Sequence, residues 1–305
     1  MSTVLVSGAS GFIGSHLVDS LTSDGHRVGR LARKTSKPLP KVSDSVLWDP
    51  ESGTVDQDAL ARLRPDAVVN LAGESIGQRW TTERRRQIRE SRVNGTTALS
   101  RALASLPQKP RVLLSGSAMG YYGAHRGDEL LDEESASGSD YLAQTARDWE
   151  QATSAATEAG IRVVVSRTGL VLGADGGALV RMLPPFRLGV GGRLGSGKQW
   201  MSWIALDDAV RALRFLMESA DLRGPVNLAA PTPVRNVEFT ETLARVLGRP
   251  AVLPVPSFAL ELLFGSMADN TLLASQRMVP KRLAGAGFEF RHPRLEDALR
   301  FELRR

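Results

Sequence analysis

One stretch constrains this chain more than any other: "TVLVSGASGFIG", residues 3–14. A short β-branched run leads into glycines at positions 8, 11 and 14, and apolar residues at helical spacing follow as far as Gly25. A strand that turns on glycines into a helix makes a phosphate cradle. Gly8 permits the tight turn, Gly11 lets a ligand approach the backbone, and Gly14 lets the helix pack close on the strand. The helix N-terminus then faces the ligand's negative charge. The spacing GxxGxxG at the first strand–helix turn therefore reads as a dinucleotide site, built from Gly8, Ser10, Gly11, Phe12, Ile13 and Gly14.

The next strand settles which dinucleotide. It ends "RLARK", so Arg33 and Lys34 stand about nineteen residues past Gly14. An acidic residue there would accept from the ribose 2′-hydroxyl of NAD. A cation there favours the 2′-phosphate of NADP (NADPH). Asp49 closes a third strand and reads equally as an acceptor for the adenine amine or as a turn aspartate before Pro50. "NLAG" ends a fourth strand, and Leu71, Ala72 and Gly73 leave room for the cofactor; Ser115, near the end of the fifth, completes the cofactor set.

The alternation continues through the first half. "RVGRLAR", "SVLWD", "DAVVNLAG", "RVLLSGS" and "IRVVVSRTG" read as strands. "DQDALARL", Thr81 to Ala104 and Tyr141 to Ala159 read as helices. This predicts the α/β class: a Rossmann-type doubly wound parallel sheet with helices on both faces. After about Gly173 the chain turns glycine-rich and loses its periodicity. The expected organisation is an NADP-binding domain over residues 1–173 and a smaller substrate-side and C-terminal domain over 174–305. Residues of about 203–230 are expected to return to the first domain.

Composition removes several function classes. The chain of 305 residues has no cysteine, which excludes disulfides, thiolate metal sites and a cysteine nucleophile. Its four histidines are scattered, so no metal is expected. No apolar run approaches the roughly 20 residues that span a bilayer, and the chain opens directly into a strand. The reading is no signal peptide, no membrane partner and a cytoplasmic protein. Net charge is +6, and the densest basic run is "RWTTERRRQIRESR", Arg79 to Arg92. With acidic partners Glu83 and Glu90, and with Ile88 and Val93 on the buried side, it reads as a solvated helix face, with one or two arginines left open to an anionic ligand. It lacks the aromatic interleaving of a nucleic-acid site. Oligomeric state is not readable.

These residues resemble a known group. "VLVSGASGFIGSHLV", "DAVVNLAG" and "GYYG" are similar to the extended short-chain dehydrogenase/reductases. "SGSAMGYYG", "ARDWE", "SRTGLVLGADGGAL", "GVGGRLGSGKQWMSWI" and "GFEFRHPRLEDAL" narrow this to the atypical, epimerase-like subfamily with a short C-terminal domain. Its members are often labelled nucleoside-diphosphate-sugar epimerases or cell-division-inhibitor homologues. The resemblance implies a Rossmann fold, an NADP(H) preference and a Ser–Tyr–Lys site. Ser117 and Tyr141 match the first two as catalytic residues, but Thr145 stands where the lysine belongs. Arg92 likewise stands where the extended group has an asparagine. An unperturbed tyrosine titrates near pH ~10 and stays neutral at pH ~7. Without the lysine it is a poor base, but it still donates a proton.

The expected function is therefore an NADP(H)-dependent oxidoreductase or epimerase-like enzyme on a small carbonyl or hydroxyl compound, with reduction preferred over epimerisation. The alternative is a non-catalytic NADP(H) sensor or scaffold. The substrate side is expected to include Glu74, Tyr121, Tyr122, Lys198, Gln199 and Trp200. Glu74 reads either as an acid or base or as a loop carboxylate paired with Arg79. Asp207 and Asp208 read as caps at a helix start.

Overall fold

The computed structural model describes residues 1–304. The first half runs β1 (Thr3–Ser7), α1 (Phe12–Ser23), β2 (Arg27–Ala32), β3 (Asp44–Asp49), β4 (Thr54–Val55), α2 (Gln57–Leu63), β5 (Ala67–Asn70) and α3 (Thr82–Ala104). It continues through β6 (Val112–Ala118), a 3-10 turn over Met119–Tyr122, β7 (His125–Leu131), α4 (Tyr141–Gln151), α5 (Ser154–Glu158), β8 (Arg162–Thr168) and β9 (Leu170–Leu172). The second half holds α6 (Gly177–Arg187), β10 (Trp200–Met201), β11 (Trp203–Ala205), α7 (Leu206–Glu218), β12 (Gly224–Leu228), β13 (Val234–Arg235) and α8 (Asn236–Leu247). It closes with α9 (Ser257–Phe264), a π-helical turn over Ala268–Leu272, β14 (Ser275–Met278), α10 (Lys281–Gly285) and α11 (Leu295–Leu303).

Eight strands form the main sheet, in the order β12-β8-β6-β5-β1-β2-β3-β4. All pair in parallel except the short β4, which lies antiparallel on β3. Val4 of β1 lies opposite Val28 of β2 on one side and Ala67 of β5 on the other. The strand order therefore reverses at β1, and a doubly wound sheet opens its ligand crevice at that point, beyond the strand C-termini.

Both faces of the sheet are covered, which is why its strands are apolar without alternation. Val4, Val6, Val69 and Leu114 pack under α1 and α7. Leu5, Val68, Leu113 and Val165 pack under α2, α3 and α5. Side chains of this size each contribute about 1.5–3 kcal/mol on full burial. A third cluster, with Leu183, Trp203, Phe239 and Leu299, joins α6, α8 and α11 around β11. Helix α7 sits on the α1 face, and β12 extends the sheet beside β8.

Three details differ from the sequence reading. The helix expected to run from Tyr141 to Ala159 breaks into α4 and α5. Thr153 stands at the break and donates its hydroxyl to the Glu150 carbonyl at 2.7 Å, a local bond that competes with helix propagation. The glycine-rich stretch contains a helix, α6, whose pattern is hidden by Pro184 and Pro185 in its last turns. Finally, β7 pairs with β14 in parallel, a contact between distant segments that neither signals alone.

Candidate active site

The glycine turn is built as a cradle. Gly8 has φ +67°, and a Cβ there would lie 2.9 Å from the Leu71 carbonyl carbon. Gly14 has no room for a Cβ against the Gly8 carbonyl, so α1 starts hard against β1. Gly11 is the N-cap of α1 and no side chain caps the helix. Its first-turn N–H groups, including those of Phe12, Ile13 and Gly14, are thus left for an anion. Ser10 and Gly11 are exposed, while the ring of Phe12 fills a slot bounded by Gly173, Gly176 and Gly177.

A chain of buried hydroxyls and amides braces the wall that carries this turn. Ser7 donates to Asn70 Oδ1 at 2.6 Å and accepts the N–H groups of Leu71 and Ala72, both at 3.1 Å. Asn70 and the Trp149 indole each donate to Thr96 Oγ1 at 2.9 Å. Four elements, β1, β5, α3 and α4, are tied through neutral groups. Sequence reading missed Thr96, because a threonine inside an arginine-rich helix carries no signal of its own.

Arg33 and Lys34 are exposed at the end of β2, and among the described residues neither meets a carboxylate. The Arg33 N–H donates to Ser36 Oγ at 3.0 Å, which bends the chain there. Asp49 spends its oxygens inside its own turn, accepting from Ser52 Oγ and Glu51 N at 2.9 Å each. The Ser52 bond, then the Glu51 N–H, hold its carboxyl below the usual range.

Beyond Gly73 the loop bounding the crevice is held by its carbonyls. The Glu74 carbonyl accepts from Arg92 at 2.9 Å, that of Ser75 from Arg84 at 2.8 Å, and that of Ile76 from the Trp80 indole at 2.9 Å. The Gly77 carbonyl accepts from Arg181 of α6. The Glu74 carboxylate pairs with Arg84 at 2.9 Å, not with Arg79, which instead donates to the Leu262 carbonyl. Helical spacing explains the change: Arg84 lies inside the first turns of α3, facing the loop, whereas Arg79 precedes the helix. Arg92 also packs against Gly73 and lies 5.2 Å from the Trp149 ring centroid. Burial pulls its guanidinium down to about 10.

The two expected catalytic hydroxyls do not bond to each other. Tyr141 donates to the Arg85 carbonyl at 2.5 Å, with its ring edge-on to Trp80 at 5.5 Å between centroids. Burial raises its phenol, against opposing pulls from Thr145, Arg92, Arg85 and Arg89. Thr145 turns its hydroxyl back to the Tyr141 carbonyl at 2.8 Å, within the helix. Ser117 donates to Glu150 Oε1 at 2.8 Å. Glu150 is clamped by Arg167 through two bonds of 2.8 and 2.9 Å, and Arg167 lies 3.4 Å from the centroid of Tyr121. Arg167 is only 3% exposed. Burial by itself lowers its guanidinium, but the bonds and charge of Glu150 carry it above its ordinary value. Ser115 is buried within β6, and its carbonyl accepts from Ser166 Oγ at 3.3 Å.

The other expected substrate residues have protein partners. Tyr122 is fully buried, donates to Asn227 Oδ1 at 2.7 Å, and is pushed up to about 12 by burial. Gln199 is buried against the Leu194 and Leu272 carbonyls. Trp200 donates to Asp128 at 2.7 Å and is flanked by Arg235 and Arg277, while Lys198 is exposed. Asp207 and Asp208 do not cap α7, whose N-cap is Ala205. Asp208 instead accepts the N–H groups of Arg291 and His292 at 2.9 and 2.8 Å, fastening the C-terminal segment to the sheet domain. Among the described residues no His, Cys, Asp or Glu group gathers to hold a metal, and no helix is long and apolar enough to cross a membrane.

Comparison with known proteins agrees with this architecture. Residues 4–229 match the NAD dependent epimerase/dehydratase family, and residues 255–302 match a domain of unknown function (DUF1731). An epimerase family protein of Mycobacterium leprae is 43% identical over 301 residues, covering 98% of this chain and 95% of that protein. The chloroplastic SDR39U1 homolog of Arabidopsis thaliana is 40% identical, covering 98% and 86%. The crystal structure of human epimerase family protein SDR39U1 (isoform 2) with NADPH superposes with a TM-score of 0.88 at 33% identity, over 99% of both chains. Fold and sequence together place the chain in the NAD dependent epimerase/dehydratase family.

Proposed function

We propose that the protein is an NADP(H)-dependent enzyme of this family that reduces a small carbonyl compound. The carrying observation is the end of β2, where Arg33 and Lys34 stand exposed and free of carboxylates among the described residues. Cations so placed suit a 2′-phosphate, and the human relative solved with NADPH supports the choice. The turn from Gly8 to Gly14, through Ser10, Gly11, Phe12 and Ile13, would hold the diphosphate. Leu71, Ala72, Gly73 and Ser115 would line the crevice beside it.

When bound, NADPH supplies a hydride. The chain must then deliver a proton to the substrate's oxygen. Tyr141 suits that task as a neutral phenol, since burial raises its pKa and no lysine lies one turn on. The same features make it a poor base, which disfavours epimerisation. A substrate oxygen would take the proton now given to the Arg85 carbonyl. Ser117 would orient that oxygen by turning its hydroxyl from Glu150 to it.

Titration by nicotinamide fluorescence tests the cofactor reading. NADPH is expected to bind more tightly than NADH. Arg33→Ala should weaken NADPH about 10- to 100-fold, the scale of a lost charge-assisted bond, and leave NADH unchanged. Equal affinities, untouched by the substitution, overturn it. A carbonyl panel followed by NADPH oxidation tests the chemistry, which is refuted if nothing turns over.

A further inference from the structure

Helix α6 crosses the crevice. Its entry is fastened to the dinucleotide turn on one side: the ring of Phe12 occupies the slot left by Gly173, Gly176 and Gly177, and His16 meets Asp175 at 2.8 Å. One turn into the helix, Arg181 reaches the loop on the other side and donates to the Gly77 carbonyl. Glycine lets the guanidinium lie close, because a Cβ on residue 77 would push the Arg181 side chain aside. Arg181 is exposed, yet it does not trail into solvent. Among the described residues it forms no ion pair, and its polar partner is the Gly77 carbonyl. Arg92, held by the Glu74 carbonyl three residues back in the same loop, is likewise unpaired. Arg92 is buried against Gly73 and Trp149, so Arg181 is the exposed guanidinium on this loop that an anion can reach.

We infer that Arg181 is the recognition residue for an anionic substituent, phosphate or carboxylate, on the carbonyl substrate, exchanging the Gly77 carbonyl for that group. The inference rests on the NADP(H)-reductase reading and supplies the substrate class it leaves open. An anion adds charge–charge attraction that the Gly77 carbonyl lacks, which favours the exchange at low ionic strength. The glycine slot around Phe12 keeps the start of α6 in place while the arginine moves.

The test uses the full chain saturated with NADPH at low ionic strength, titrated calorimetrically with inorganic phosphate and, separately, with acetate. At least one probe should bind saturably. Arg181→Gln should weaken that binding at least tenfold while leaving NADPH affinity within about twofold. Gly77→Ala, which displaces the guanidinium from its resting carbonyl, should change anion affinity without abolishing it. Saturable binding of phosphate but not acetate assigns the phosphate class, and the reverse assigns the carboxylate class. Anion binding that Arg181→Gln leaves unchanged overturns the inference, as does the absence of saturable binding of either probe. Loss of NADPH binding by the parent protein would instead refute the cofactor reading, so the two failures are distinguishable.

Discussion

The two walls of the crevice are built on opposite electrostatic principles. The wall carrying the glycine turn is neutral inside: Ser7, Asn70, Thr96 and the Trp149 indole satisfy one another and the N–H groups of Leu71 and Ala72. The wall carrying Ser117 is charged inside: Arg167 and Glu150 form a buried pair, with Tyr121 stacked on one side and the Tyr122 hydroxyl accepting from Arg167 at 3.2 Å. Neutral networks lose one hydrogen bond at a time. A buried ion pair fails as a unit, because removing one partner strands the other's charge. The charged wall should therefore be brittle and the neutral one graded.

Breaking the pair gives the largest expected effect. Glu150→Gln leaves Arg167 charged, 3% exposed and without its carboxylate. The expected loss is about 3–5 kcal/mol in urea unfolding. Adding Arg167→Met should recover part of that loss, since the stranded charge goes with it. A loss below about 1 kcal/mol for the single variant would erase the contrast between the walls.

Alkaline pH probes the same wall more gently. Folding raises Tyr122 from 10.0 to about 12. The folded state then holds the proton that the unfolded state releases, so this stabilisation is complete below pH 10 and is lost as pH climbs toward 12. Two pH units correspond to roughly 2–3 kcal/mol. Arg92 runs the other way. Its folded value of about 10 lies below the ordinary 12.5, so the unfolded state binds more protons in that interval and stability gains with pH. Comparing Tyr122→Phe with the parent between pH 9 and 12 isolates the first slope. The parent's advantage over the variant should shrink by that amount, and a constant difference refutes the burial argument.

On the neutral wall, Thr96→Val keeps the shape and removes an acceptor that serves two donors. Leaving Asn70 and Trp149 short of a partner should cost about 1–3 kcal/mol. Trp149 fluorescence should shift to report the lost indole bond. An unchanged stability with an unchanged spectrum would show that this wall is redundant as well as graded.

The glycine turn was legible because its spacing carries its own geometry: Gly8 at φ +67° and Gly14 against the Gly8 carbonyl are constraints that no larger residue meets. The parallel sheet was legible for a similar reason, since burial on both faces writes unbroken apolar strands. The charged wall was far less so. Glu150 and Arg167 lie 17 positions apart, and each alone looks like a surface charge. Arg181 sits in a stretch whose helix is masked by glycines and prolines, and its partner is a backbone carbonyl, which leaves no mark on sequence. The Ser–Tyr–Lys comparison located Ser117 and Tyr141 but could not foresee that each hydroxyl has a protein acceptor.

Tyr141 gives the smallest stability effect and the sharpest division between the walls. Its hydroxyl is partly buried and bonds a single carbonyl of α3. Tyr141→Phe should therefore cost about 0.5–1.5 kcal/mol, the net worth of one neutral hydrogen bond. If the phenol also delivers the proton in carbonyl reduction, kcat should fall about 10²- to 10⁴-fold with KM nearly constant. Because burial raises the phenol, the parent's kcat should decline only at a higher pH than an ordinary tyrosine would impose. A variant that loses the hydrogen bond's stability but keeps full turnover would make Tyr141 an anchor between α4 and α3. The proton would then have to come from another donor, because Ser117 commits its hydroxyl proton to the Glu150 carboxylate.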